Sequence, residues 1–203
     1  MKEVQGFGDS AIATLQTNAN VPEGMGVEGH YHVVCRDKNG NIKWEEEFPN
    51  LVVAAGKQLM LDTLLKGSSY SVTGPFLGLT NATLTPAATD TMTTLVGGGK
   101  EFTAYTVGGS AVRGTASFGS ATSAGSTPSN VTTSTASAIT YTITGGGGTV
   151  YGCFLVLGTG AVSTQSSTAG TLYSEGNFST AKVTTAGDTV SVTYSTTATR
   201  SEE

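Results

Sequence analysis

Apolar residues recurring at every second position, in runs closed by glycine, asparagine and serine, restrict this chain more than any other feature. From Gly29, Tyr31, Val33 and Cys35 alternate with His30, His32, Val34 and Arg36. The polar stretch Asp37-Lys38-Asn39-Gly40-Asn41 follows, and then Ile42, Trp44, Glu46 and Phe48 alternate with Lys43, Glu45 and Glu47. Side chains two apart share one face of a strand, so this pattern predicts a β-hairpin, with Asn39-Gly40 supplying the positive-φ turn. Near the other end Val190, Val192 and Tyr194 alternate with Thr189, Ser191 and Thr193, one buried face against one polar face. That run marks a strand at 188–195, and further strands are predicted at 75–79, 101–107, 112–118, 131–144, 149–157 and 171–174. That number is enough for two packed sheets.

One segment has a different period. In LVVAAGKQLMLDTLLKG, after Pro49-Asn50, the residues Leu61, Leu64 and Leu65 fall on one helical stripe, Ala54 lies two turns earlier, and Gly67 stands where a helix stops. A short helix covering the hairpin would pack Leu61 and Leu64 against Trp44 and Phe48. A single helical turn is expected near residues 91–95. Residues 1–27 have no steady period and carry Gly6, Gly8, Gly24 and Gly26, with a small apolar group at Ile12, Leu15 and Val21. This reads as an N-terminal arm whose three apolar side chains contact a partner, leaving 28–203 as the β-sandwich domain. The expected fold is therefore all-β, a jelly-roll-like β-sandwich with one short helix and an extended N-terminal arm. No fixed-period repeat points to a propeller or solenoid.

Composition supports a packed β protein over a disordered one. Gly accounts for 28 of 203 residues and charged residues for only 12%, yet 37% of the chain is apolar, more than disordered chains carry. A net charge of −5 and a pI near 5.0, with ten scattered basic residues, argue against nucleic-acid binding, which needs clustered Lys and Arg. The first ten residues contain an acid and no long apolar stretch, and no apolar run approaches membrane-spanning length, so neither a secretory leader nor a membrane segment is expected. Cys35 and Cys153 are then expected as buried free thiols.

Candidate chemistry is sparse. His30 and His32 share a strand face, as zinc ligands sometimes do, but no other histidine exists and a solvated face is the better account. Asp37-Lys38-Asn39-Gly40-Asn41 opens like a calcium loop, yet Ile42 stands where such a loop needs glycine and Phe48 where it needs glutamate, so a turn is expected. Gly97-Gly98-Gly99-Lys100 lacks the spacing and the following Ser or Thr of a phosphate loop, and Gly145 to Gly148 lacks dinucleotide spacing. No G-x-S-x-G elbow accompanies the serines. The sequons at Asn81, Asn130 and Asn177 read as chance in a chain this rich in Asn, Ser and Thr. Trp44 and the tyrosines could stack on a sugar, but Trp44 lies on the apolar side of its strand and reads as core. No catalytic residue, cofactor or metal is expected.

Several short motifs carry a resemblance. Trp44-Glu45, Asn50-Leu51-Val52-Val53, Gly56 with Leu59, Leu61 and Asp62, and Phe76-Leu77-Gly78-Leu79 resemble the opening of a group of small tailed-phage virion proteins. Gly170-Thr171-Leu172-Tyr173, Gly176-Asn177-Phe178 and the run Gly187-Asp188-Thr189-Val190-Ser191-Val192-Thr193 are similar to their ending. The chain departs from the group in its longer arm and in Phe76, where Trp or Tyr is expected. The resemblance implies a non-enzymatic capsid decoration or cement protein that forms a homo-oligomer, a dimer or trimer. Its partners would be the major capsid protein or other virion proteins, on a particle assembled in the host cytoplasm. A tail, neck or fibre-associated component is the alternative within the virion, and a carbohydrate-binding β-sandwich the alternative outside it.

Overall fold

The computed structural model describes residues 24–66, 73–124, 127–130 and 138–201. The strands are β1 (Gly24–Arg36), β2 (Ile42–Val52), β3 (Phe76–Thr80), β4 (Glu101–Phe102), β5 (Tyr105–Thr106), β6 (Gly114–Thr115), β7 (Thr122–Ala124), β8 (Thr127–Asn130), β9 (Ile139–Ile143), β10 (Gly148–Leu157), β11 (Thr171–Thr184) and β12 (Thr189–Ser201). The helices are α1 (Ala54–Leu65) and α2 (Met92–Leu95). One hydrogen-bonded path runs β4-β3-β10-β11-β2-β1-β12-β8-β7, with β9 bonded to β12 and β5 to β9.

The path nearly closes on itself. Along most of its length β2 pairs with β1, but its last residues, Leu51 and Val52, pair instead with Glu175 and Ser174 of β11, which turns one corner. At the opposite corner β4 pairs with β3 while β5, two residues on, pairs with β9, and Thr144 donates its N–H to the Ala104 carbonyl. The result is a barrel-like sandwich, predominantly β, in which both layers face a common core.

The hairpin is as the alternation predicts. Tyr31, Val33 and Cys35 are wholly buried and stand opposite Tyr194, Val192 and Val190 of β12, so two alternating strands present matched apolar faces. Gly40 takes φ +86°, and the Asp37 carboxylate accepts the N–H groups of Asn39 and Asn41, closing the turn. Tyrosines tie the layers together: Tyr141 of β9 donates to the Leu77 carbonyl of β3 at 2.7 Å, and the Tyr31 hydroxyl meets Ser174 Oγ of β11 at 3.0 Å. Buried hydroxyls need such partners.

Strand β10 does not alternate. Cys153, Phe154, Leu155 and Val156 are all buried, because the opposite face of this layer is covered by a second apolar cluster of Val53, Leu84, Met92, Leu95, Val96, Ala161 and Leu172. A strand buried on both faces reads as a continuous apolar run. The covering comes from the stretch containing α2, capped by a reciprocal Thr91–Thr94 pair of side-chain to N–H bonds, and from the 158–170 loop. That helical turn falls where the sequence predicts it.

Several expectations require correction. The run predicted at 171–174 continues to Thr184, since Glu175, Gly176 and Asn177 keep pairing with β10 and β2 despite their composition. The predicted strand 101–107 is divided into β4 and β5, and 112–118 forms ladder only at Gly114–Thr115. Of the stretch 131–144, β9 covers Ile139–Ile143, and 131–137 lies outside the described residues. Strand β1 begins at Gly24 and pairs Gly24 with Ser201, so it reaches four residues into the stretch read as arm.

The largest correction concerns α1. Leu61 and Leu64 do not pack with Trp44 and Phe48: Leu61 is 47% exposed, Leu64 77% and Leu65 76%. The helix instead buries Gly56 and Leu59. A Cβ on Gly56 would lie 2.5 Å from the Tyr173 carbonyl oxygen, so glycine lets the helix backbone press directly onto β11. At roughly 100° per residue, contact at 56 and 59 continues to 60 and 63 and turns 61, 64 and 65 outward. The leucine stripe exists, but it faces away from the core. Trp44 and Phe48 pack instead on Phe178 of β11, with ring centroids 5.4 and 4.9 Å away.

Candidate interaction surface

Two of the outward leucines, Leu61 and Leu64, border apolar hollows that share lining residues. Between α1 and the start of β1, a hollow of about 250 Å³ is lined by Val27, Lys57, Met60 and Leu61. It shares Met60 with a second of about 470 Å³, lined by Leu59, Met60, Thr63, Leu64 and Leu157. Leu157 leads on into a third, of about 220 Å³, where Pro75, Phe118, Leu155, Tyr173, Tyr194 and Thr196 line the mouth of the sandwich. Tyr173 donates its hydroxyl to Met60 Sδ at 3.2 Å, which fixes the flexible thioether in the floor. Burial pushes the Tyr173 hydroxyl up to about 12, so it remains a neutral donor across ordinary pH.

A second feature lies on the outer side of β11. Glu175, 2% exposed, faces Asp90, and the two line a cavity of about 30 Å³ with Thr85, Thr94 and Lys100. Burial, then the hydrogen bond to Asp90, pushes the Glu175 carboxyl up to about 8, so at neutral pH it is the protonated donor of the pair. Burial alone would raise Asp90 too, but the bonds from Glu175, from the Ala87 N–H and from Thr94 hold it below its ordinary value. Next to it Asn177 both accepts the Leu84 N–H and donates to the Leu84 carbonyl. These contacts fasten the 81–91 loop to the sheet.

A third is the ion pair of Arg113 and Glu101. Arg113 donates from Nε and Nη2 to the two carboxylate oxygens, each at 2.8 Å, and both side chains are buried. The carboxylate also accepts the Ser166 N–H, and Nη2 donates to the Ser167 carbonyl. The pair thus pins the 158–170 loop, and the guanidinium lies 5.3 Å from the Phe154 ring centroid. Neither this pair nor Asp90–Glu175 is legible in the sequence. The available signal was an isolated charge in an otherwise uncharged segment: Arg113 in SAVRGT and Glu175 in LYSEGN.

Of the residues singled out from the sequence, Ile12, Leu15 and Val21 lie outside the described residues. His30 and His32 occupy the exposed face of β1, where His32 Nε2 meets Glu45 at 2.8 Å and His30 Nδ1 is 4.0 Å from Glu47. Among the described residues no group of three or more His, Cys, Asp or Glu is placed to hold a metal ion. Cys35 and Cys153 are buried free thiols; burial pushes Cys35 up to about 11 and Cys153 higher. Gly97-Gly98-Gly99-Lys100 forms the exit of α2, and Gly99 takes φ +73°. Trp44 is half-buried and donates Nε1–H to the Val183 carbonyl, so its ring edge is already engaged. Among the described residues no helix is long and apolar enough to cross a membrane.

Comparison with protein-family models, curated proteins and solved structures finds no match.

Proposed function

We propose that this chain is a non-enzymatic structural protein of a tailed-phage particle, a capsid decoration or cement protein that binds the outer shell and stabilises seams between major capsid subunits. The outward leucine face of α1 carries the reading. Leu64 and Leu65 are large, exposed and held on a helix whose other side is locked to β11 at Gly56. Covering each would contribute about 1.5–3 kcal/mol. Such contacts are modest singly but multiply when many copies engage one shell. The sequence motifs that resemble those of small virion proteins support the same reading, and the barrel-like sandwich is compatible with it. Within that architecture we assign a jelly-roll-like strand order, homo-oligomeric association and assembly in the host cytoplasm.

The test is stoichiometry on purified particles. Hundreds of copies relative to the major capsid protein support a cement role. A dozen or fewer would move the protein to the tail, neck or fibres, and absence from particles would end the virion reading. Leu64→Asp with Leu65→Asp should leave the isolated domain's melting temperature within about 2 °C, since surface changes cost about 0.5 kcal/mol or less. The same variant should strip the protein from particles.

A further inference from the structure

Segment 81–91 crosses the outer side of β11 with little apolar anchorage. Leu84 is the one large apolar side chain in NATLTPAATDT, so polar contacts hold the rest. They fall at three places. Asn177 of β11 accepts the Leu84 N–H at 2.9 Å and donates to its carbonyl at 3.0 Å. The Ala88 carbonyl accepts the Ala54 N–H at 2.8 Å, at the first residue of α1, whose N-cap Val53 supplies no side-chain bond. Asp90 faces Glu175, and its carboxylate also organises the segment by accepting the Ala87 N–H at 2.7 Å and the Thr94 hydroxyl at 3.3 Å. Of these contacts only the last contains groups that titrate. Charged side chains face Glu175 from two elements, Asp90 on the segment and Lys100 at the exit of α2. The neighbouring strands set Phe154 of β10 and Leu51 of β2 opposite it, α1 turns Gly56 and Leu59 inward, and Arg113, over the Phe154 ring, is bound to Glu101. One lysine cannot neutralise two carboxylates. Glu175 Oε1 receives no hydrogen bond, so an ionised Glu175 in the closed segment is a poorly compensated buried charge.

We propose that Asp90 and Glu175 form a proton-operated latch: a proton shared between the two carboxyls seats the 81–91 segment on β11, and its loss frees the segment and uncovers the outer apolar cluster. Without the proton the carboxyls lose their hydrogen bond and repel each other. Opening returns Glu175 to water, where its ordinary 4.5 applies in place of about 8. A group whose closed-state value is raised favours the closed state most fully below its open-state value. Opening is therefore least favourable below about pH 4.5, grows by up to about tenfold per pH unit above that, and levels off beyond about 8. The latch thus works across neutral pH. Its release uncovers Val53, Phe154 and Leu172, which share a cluster with Leu84 and are at most 1% exposed in the closed chain. Because the Ala88 carbonyl holds the first N–H of α1, release also loosens the start of that helix. The inference is independent of the virion reading and survives its failure.

The experiment uses the full-length chain. Amide hydrogen exchange is followed by mass spectrometry at about pH 5.5, 6.5 and 7.5, each rate being divided by the intrinsic rate at that pH. The reporters are the Leu84, Ala87 and Asp90 amides, all hydrogen-bonded in the closed segment, with β10 as reference. Protection of the segment should fall at least about tenfold across this range. At every pH it should also lie at least about tenfold below that of β10, which marks the opening as local. Glu175→Gln keeps a donor toward Asp90 but cannot titrate, and should remove most of the fall. Protection independent of pH in the unaltered chain would overturn the latch, and that series decides the matter even where the variant does not fold. Protection equal to that of β10 would show that the segment opens only with the whole chain and overturn it too, as would an unchanged fall in a folded Glu175→Gln.

Discussion

Replacing Arg113 by Met would leave the Glu101 carboxylate buried with the Ser166 N–H as its remaining hydrogen-bond donor. In the native chain that carboxylate receives two guanidinium bonds at 2.8 Å and the Ser166 N–H at 2.7 Å. Arg113 meanwhile reaches the carbonyls of Ser167, at 2.7 Å, and Val162, at 3.4 Å. Removing one member of a buried pair costs about 3–5 kcal/mol, mostly the penalty of an uncompensated buried charge. Losing the contact with the Phe154 ring adds to it. In equilibrium urea unfolding, with a slope of about 2–3 kcal/mol per molar, the midpoint should fall by about 1–2 M. The double variant Arg113→Met with Glu101→Leu supplies the control. Replacing the whole pair by apolar side chains of similar volume should recover most of the loss, because desolvation offsets much of a buried ion pair's attraction. A midpoint shift under about 0.3 M in the single variant would refute the reasoning. So would a double variant as unstable as the single one.

Other outcomes follow from the same geometry. Leu59→Ala should cost about 2–5 kcal/mol by thermal or urea unfolding, whereas Leu61→Ala should cost less than about 1; the reverse order would mean that α1 is rotated from its described seat. Glu175 holds its proton in the folded chain up to about pH 8 and releases it near its ordinary 4.5 when unfolded. Its contribution to stability is therefore complete below about pH 4.5 and lost as pH rises through about 8, with a slope of up to about 1.4 kcal/mol per unit. Glu175→Gln keeps a donor toward Asp90 but cannot titrate, so its stability profile between pH 5 and 8 should be flatter; parallel profiles would refute the assignment. Cys35 and Cys153 should resist an alkylating reagent at pH 8 in the folded protein and react fully after denaturation, and a mass two units low that reductant restores would contradict their being free.

Local period and turn chemistry determined much of this protein. Tyr31, Val33 and Cys35 had to share a face, Asn39-Gly40 had to turn the chain, and the β12 alternation had to oppose a matching strand, because pleat and φ preference act within a few residues. Other features depend on partners distant in sequence. Glu175 is tolerated in a buried strand only because Asp90 and the 81–91 loop come to meet it, 85 positions earlier in the chain. Arg113 is buried only because Glu101 and the 158–170 loop surround it. The leucine stripe of α1 was legible as a stripe, but its direction was not. A helical period specifies which side chains share a face, and the close approach of Gly56 to Tyr173 chose which face the body of the protein would cover. By itself the sequence determined the β1–β2 hairpin, the inward side chains of β1 and β12 and the presence of a helix. Tertiary structure alone decided that Leu61, Leu64 and Leu65 face outward, since that choice belongs to the surface against which the helix is pressed.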